Sequence, residues 1–298
     1  MIEAVLVMAY GTASGPDDVE RYYTDIRGGR TPPPEAVEDL KRRYAAVGNV
    51  FPLDRITRAQ AAALGRRLRV PAYVGYKHSP PFVPDVVRRM AADGIREAVG
   101  VVMAPHYSRM SIGGYVDRVR SGEIEGLRID VIESWHAHPA FLEVLSERVR
   151  AARDRLTDQE RSNDLVIFSA HSLPARIVGE GDPYPDQLRE TAEAVAGWLD
   201  LERFTVAWQS AGRTPEPWLG PPLDEVVAKA SADGYTAVVS CPCGFTADHL
   251  EILYDVDVEA REAARQADLR LVRTESMNDD PEFIRAVARV IRDHVEAR

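Results

Sequence analysis

The stretches "YVGYKHSPPFVPDVVRRMAADGIREAVGVVMAPHYS" (residues 73–108) and "VAWQSAGRTPEPWLGPPLDEVVAKASADGYTAVVSCPCGFT" (residues 206–246) run through the same features in the same order. Each passes from an apolar run through a proline-rich loop into a helical segment with paired valines. Next come an Ala-Asp-Gly end, a second apolar run and a proline turn. Gly94 and Gly234 stand where a left-handed residue closes a helix. Valine-rich runs alternating with longer charged segments are the mark of parallel strands under crossover helices, because such strands are buried on both faces. The spacing predicts strands at Val5–Met8, Ala72–Gly75, Ala98–Met103, Asp130–Glu133, Leu165–Ser169, Thr205–Trp208, Ala237–Cys241 and Leu269–Val272. The opening strands match too, "VLVMAY" ending in Ala9-Tyr10 as "LVIFSAH" ends in Ala170-His171. The pattern predicts an α/β protein of two similar lobes, joined within residues 135–165.

Composition narrows the function. The 298 residues are 45% hydrophobic and 28% charged, ordinary for a globular chain with a sizeable core. A net charge of −10 argues against a nucleic-acid footprint, which needs a basic surface. Apolar runs are too short for a membrane span, and Met1 leads directly into "EAVLVMAYG" without a basic leader, so a cytoplasmic protein is expected. The two cysteines, Cys241 and Cys243, are too close for an ordinary disulfide and too few for a four-cysteine zinc or iron–sulfur site. Cys241 is expected buried and inert, with Cys243 lining the site. Walker, dinucleotide-glycine and nucleophile-elbow motifs are missing.

In open parallel sheets, ligands bind beyond the carboxyl ends of the strands. That rule sets Tyr10, Lys77, His78 and His106 on one side of a cleft, with His171, the "QSAGRTP" loop and "CPCGFTADHLE" on the other. A histidine in a core is often merely hydrogen-bonded. His171 ends a strand and is followed by Ser172 and Pro174, which favours a functional role. Thr246–Glu262 is predicted as one helix capped near Thr246 or Asp248, on which Asp248, Glu251, Asp255, Glu259 and Glu262 share an arc of about 80°. Such a stripe is either a solvated acidic face, or a carboxylate row that starts at the cleft and suits a divalent cation or proton transfer. His249 should point away from it, His136 and His138 lie in a turn, and His106 is open between a loop bond and a site role. Arg21, Arg27, Arg30, Arg42 and Arg43 surround tyrosines; they form either a solvated face or a set of forks for a planar ligand bearing carboxylates.

Along nearly the whole chain these residues resemble the ferrochelatases, enzymes that insert ferrous iron into a porphyrin. "VLVMAYGT", "RYYTDIRGGR", "LKRRYAAVG", "YKHSPPF", "FSAHSLP", "GDPYPDQL", "WQSAGRTPEPWLGP" and "GFTADHLEILYDVD" occur in the family's order. The resemblance implies two similar Rossmann-like lobes, each a four-stranded parallel sheet flanked by helices, with the active-site cleft between them. Residues 1–140 would form the first lobe and 141–280 the second, with a helix at about 281–298 packing back on the first. It implies that His171 and Glu251 are catalytic and bind the metal in the active site, and that Asp255 and Glu259 lie on a metal path. Tyr10, Arg27, Arg43, Tyr44, Lys77, Ser111 and Tyr115 would bind porphyrin. Tyr10 in "MAYGT" is similar to the tyrosine of Gram-positive-type enzymes acting on coproporphyrin III, which approaches the metal from the face opposite the histidine. Phe51 departs from the pattern, standing where those enzymes commonly have a serine near a propionate.

The resemblance thus implies a cytoplasmic chelatase making iron-coproporphyrin for haem synthesis, with Fe²⁺ as substrate and no iron–sulfur cluster. Expected partners are coproporphyrin III, ferrous iron and other haem-synthesis enzymes, with no nucleic acid and at most peripheral membrane contact, the chain acting as a monomer. Other readings of the same residues are a protoporphyrin IX ferrochelatase, a cobalt- or nickel-inserting tetrapyrrole chelatase, and a porphyrin or haem carrier without activity.

Overall fold

The computed structural model describes residues 2–212 and 214–298. The chain divides into two compact units, Met1–Trp135 with Ala247–Leu250 and Met277–Arg298, and His136–Thr246 with Glu251–Ser276. Each holds one four-stranded, wholly parallel sheet.

In the first unit the strands are β1 (Ala4–Ala9), β2 (Ala72–Tyr76), β3 (Glu97–Val102) and β4 (Arg128–Ile132), ordered β2-β1-β3-β4. β1 is central and buried along its whole length, which is why "AVLVMA" lacks the alternation of a half-exposed strand. Leu6 and Met8 pack on one face with Val83, Val87 and Met90 of the helix Val83–Ala92 and with Ile112 and Tyr115. The C-terminal helix Pro281–Glu296 lies against the helix Leu53–Leu68. Its start is set by Pro281 at the first position and by Asp280, whose carboxylate accepts from the backbone of Glu282 (2.8 Å) and Phe283 (3.3 Å). Phe283, Val287 and Ile291 form its fully buried stripe, Phe283 lying 6.2 Å from the Trp135 ring centre. Phe283→Ala is expected to lower unfolding free energy by about 3–5 kcal/mol in denaturant titration, the usual penalty of removing a core phenyl ring.

In the second unit β5 (Asp164–His171), β6 (Phe204–Gln209), β7 (Ala237–Cys241) and β8 (Arg270–Arg273) are ordered β6-β5-β7-β8, so β5 takes the place that β1 has in the first. Leu165, Ile167 and Val238 pack with Leu223, Val227 and Val256. The repeat read from the sequence extends to single hydrogen bonds. Tyr76 N donates to Pro81 O and Trp208 N to Pro221 O, both at 2.9 Å, where each proline-rich loop folds back beside its strand. Gly94 (φ +85°) and Gly234 (φ +90°) close the equivalent helices, with Ile95 N on Met90 O and Tyr235 N on Ala230 O, both at 3.0 Å.

All eight expected strands are present, with no end displaced by more than two residues. The single helix expected over Thr246–Glu262 is not. Helical structure starts at Leu250–Leu253, passes into a π-helical turn at Asp255–Ala260 and continues as Arg261–Gln266. Glu259 N donates to Tyr254 O, five residues back, and that wider turn rotates the downstream residues out of the α phase. Among the described residues no helix is long and apolar enough to cross a membrane.

Candidate active site

β5 carries His171 to its last position, opposite Gln209 at the end of β6. The imidazole is half-buried, and its Nδ1 lies 2.5 Å from the carbonyl of Ser172. A carbonyl can only accept, so Nδ1 carries the proton and the lone pair of the neutral ring sits on Nε2, the atom able to take a proton or a metal ion. The strand end is fixed from two sides: Ser172 N donates to Gln209 O (2.7 Å) and the Tyr184 hydroxyl to the His171 carbonyl (3.0 Å). Beside it Gly244 N reaches Ser169 O (3.0 Å), and a Cβ on Gly244 would fall 2.5 Å from that of Ala170. Only glycine lets the loop after β7 pass this close to Ala170, the residue before His171.

Glu251 is half-buried in the short turn Leu250–Leu253, and its carbonyl accepts from the Gln209 side-chain amide at 2.8 Å. Asp255, 7% exposed, accepts from the Ser210 hydroxyl. Glu259 is exposed. The uniform five-carboxylate stripe is therefore replaced by several local fates. Asp248 pairs with Asn278 through Asn278 Nδ2 on its carboxylate and its own amide on Asn278 Oδ1, both 2.9 Å. Glu262 is held by Arg265 (2.7 Å) and Gln266 (2.9 Å), which keep its carboxyl at about 2. Asp257, outside the expected stripe, takes Arg273 on both oxygens at 2.9 and 3.0 Å. Among the described residues, no group of three or more His, Cys, Asp and Glu side chains is placed to hold a metal ion.

In the first unit β1 leads into Tyr10, 39% exposed, whose carbonyl accepts from His78 N (2.9 Å) and whose ring centre lies 4.5 Å from that of His78. His78 is buried, and Nδ1 is 2.7 Å from Asp25 Oδ1. Burial holds this imidazole down at about 4 despite the Asp25 hydrogen bond, so at neutral pH the uncharged ring donates to the carboxylate. Next to it Lys77 is buried, its ammonium on the carbonyls of Met110 (3.3 Å) and Ser111 (3.1 Å) and 5.1 Å from the Tyr115 ring centre. Those carbonyls belong to a second π-helical turn, Arg109–Gly113.

Desolvation, helped by the Arg118 charge, brings Lys77 from 10.5 down to about 8. The unfolded chain then binds this proton more tightly than the folded one, so below about pH 8 the buried charge opposes folding and stability rises between about pH 8 and 10.5. Lys77→Met is expected to be the more stable protein at pH 7, by about 3 kcal/mol at most, with the gap closing by pH 10 in urea titrations.

Of the five arginines grouped in the sequence, Arg21 is taken by Asp18 (2.9 Å) and Arg42 by Asp39 (3.0 Å), the solvated-face alternative. Arg43 also reaches Asp39, at 3.4 Å, and Arg30 Nε donates to the Arg27 carbonyl at 3.2 Å. Arg27 differs: its Nε is buried with no hydrogen-bond partner among the described residues, while its guanidinium lies 6.0 Å from the Tyr23 ring centre. A buried, unmatched guanidinium N–H is the donor an incoming carboxylate would satisfy. Tyr44 is buried and stacked on Phe51 with ring centres 4.2 Å apart, so the residue that departs from the family pattern packs on a tyrosine. Tyr115 is 3% exposed in the core, seating Lys77 with its ring face, and Ser111 is half-buried.

Three further histidines and both cysteines are structural. His138 caps the helix Pro139–Arg153 by accepting from Ala140 N (3.2 Å), His136 meets Glu190 (2.7 Å), and His249 Nδ1 donates to Ala247 O (2.8 Å). His106 is buried. Cys243 does not line a site: it is 2% exposed with Sγ 3.8 Å from Ser169 O, and burial drives its thiol well above the usual range. Burial raises Cys241 to about 12, so both stay protonated and unreactive. Arg213 of the "QSAGRTP" loop lies outside the described residues. Gln209, Ser210, Tyr184 and Asp25 lie in segments the sequence singles out, but their individual roles do not show there, because each acts through a partner elsewhere in the chain.

Comparison with known proteins identifies the family. A family model described as Ferrochelatase matches residues 2–295. The "Coproporphyrin III ferrochelatase" of Geobacillus thermodenitrificans is 46% identical over 297 residues, covering 96% of this chain and 94% of that one. The protein of the same name from Bacillus subtilis is 44% identical, with 96% of each chain covered. Among solved structures, "SirB from Bacillus subtilis with Fe3+" superposes with a TM-score of 0.64 at 12% identity, over 98% of this chain and 95% of that one, a likeness of fold. The family match over residues 2–295 and relatives at 44–46% identity over nearly the whole chain place this chain in the ferrochelatase family.

Proposed function

We propose that the protein inserts Fe²⁺ into coproporphyrin III, releasing two pyrrole protons and giving iron-coproporphyrin for haem synthesis. The observation that carries this reading is His171 at the end of β5, its Nδ1 proton committed to the Ser172 carbonyl so that Nε2 holds the reactive lone pair. Support for the substrate comes from relatives named for coproporphyrin III at 44–46% identity.

Metallation requires ferrous iron to shed water while two nitrogens give up protons. Nε2 of His171 and the Glu251 carboxylate supply a neutral base and an anion for these tasks, the histidine accepting a proton or the metal, the carboxylate the other. Arg27 and Arg43 pair with propionates, and the buried Nε of Arg27 gains the partner it lacks. Tyr10, Tyr44, Lys77, Ser111 and Tyr115 are assigned to porphyrin binding. Propionate contacts remote from the nitrogens offset the strain of bending the ring toward its metallated shape. Asp255 and Glu259 pass iron from solvent toward Glu251.

Anaerobic incubation with Fe²⁺ and coproporphyrin III tests the assignment. Iron-porphyrin absorbance should appear over many turnovers; a stable spectrum of bound, metal-free porphyrin would instead identify a carrier. Cobalt or nickel insertion outpacing iron in the same assay would identify a different chelatase.

A further inference from the structure

Two consecutive residues at the end of β6 hold the backbone of one acidic residue and the side chain of another. Gln209, 4% exposed, is the register partner of His171; its amide Nε2 donates to the Glu251 carbonyl (2.8 Å) and its Oε1 accepts from Ser169 Oγ (2.9 Å). The main chain of Gln209 meanwhile accepts from Ser172 N at 2.7 Å. One buried side chain thus ties the strand that carries His171 to the turn that carries Glu251. Ser210 follows in the left-handed region at φ +61°, unusual for serine, and its hydroxyl donates to the Asp255 carboxylate.

The α turn at Leu250–Leu253 is too short to support itself, and the π turn after it supplies no regular α-helical continuation. Its placement depends on side-chain bonds from outside, and Gln209 and Ser210 supply them. We infer that Gln209 and Ser210 are positioning residues: Gln209 sets Glu251 against His171 for the proton and metal step, and Ser210 fixes Asp255 for delivery of iron. The inference rests on the proposed iron-insertion chemistry. Neither residue touches the reacting atoms, so their loss should leave porphyrin affinity intact.

Two variants separate these roles. Ser210→Gly removes the hydroxyl while glycine accepts the positive φ freely, so thermal stability should be unchanged or higher. Its KM for Fe²⁺ should rise at least fivefold with kcat within twofold of the unaltered protein. Gln209→Glu keeps size and an acceptor for Ser169 but replaces the amide donor, setting oxygen against the Glu251 carbonyl. Its kcat should fall at least tenfold, with coproporphyrin III affinity by fluorescence quenching unchanged and faster amide hydrogen exchange confined to residues 250–260. Variants matching the unaltered protein in kcat, KM and exchange, or losing stability, kcat and porphyrin affinity together, would overturn the inference. Failure of the unaltered protein to metallate coproporphyrin III would instead overturn the functional reading beneath it, while the exchange measurement would still decide whether Gln209 braces the turn.

Discussion

His171→Ala is expected to reduce iron insertion into coproporphyrin III by at least about 10³-fold in kcat, comparable to removing a catalytic base, while the porphyrin still binds. The fold tolerates the change, because His171 occupies the last position of β5 and is half-buried, with Ala170 and the strand before it forming the packed interior. What disappears is Nε2, whose lone pair is exposed by the fixed Nδ1–H bond to Ser172. Insertion is followed anaerobically by absorbance and binding by fluorescence quenching. Turnover within tenfold of the unaltered protein would remove His171 from the mechanism.

Glu251→Gln is the second large effect, expected at about 10²-fold or more in kcat. The amide has the same shape, and the contact that positions the residue is to its backbone carbonyl, so Gln209 continues to hold the turn. The variant therefore removes charge and basicity without displacing the segment. Thermal stability and porphyrin affinity should be unchanged. A kcat near that of the unaltered protein would leave His171 to handle both protons and metal without this carboxylate.

The parallel sheets were legible in the sequence because burial on both faces demands uninterrupted apolar runs. "AVLVMA" and "DLVIFSA" could scarcely be anything but central strands. His171 was legible for the same reason: an imidazole following such a run must lie at the strand's carboxyl end. The π-helical turns at Arg109–Gly113 and Asp255–Ala260 were not, since i→i+5 bonding has no residue signature and an α-helical wheel assigns the wrong faces beyond it. Glu251 precedes the π turn, so that error does not reach its position. Asp248 did not, since its partner Asn278 lies 30 residues away. Some of the arginine cluster carried its own answer: Asp18 three residues before Arg21, and Asp39 three before Arg42, are spacings that form ion pairs on one helix face. By contrast the Asp25–His78 pair spans 53 residues and Gln209–Glu251 spans 42, contacts that only the fold brings together.

The central claim is iron insertion with coproporphyrin III as substrate. The most direct measurement is kcat/KM for anaerobic Fe²⁺ insertion into coproporphyrin III and protoporphyrin IX, side by side on the same preparation. Coproporphyrin III carries four propionates against two, so the arginine and lysine contacts proposed for this site predict a preference for it of at least about 10-fold, the worth of one charge-assisted hydrogen bond. Equal or higher efficiency with protoporphyrin IX would contradict the account.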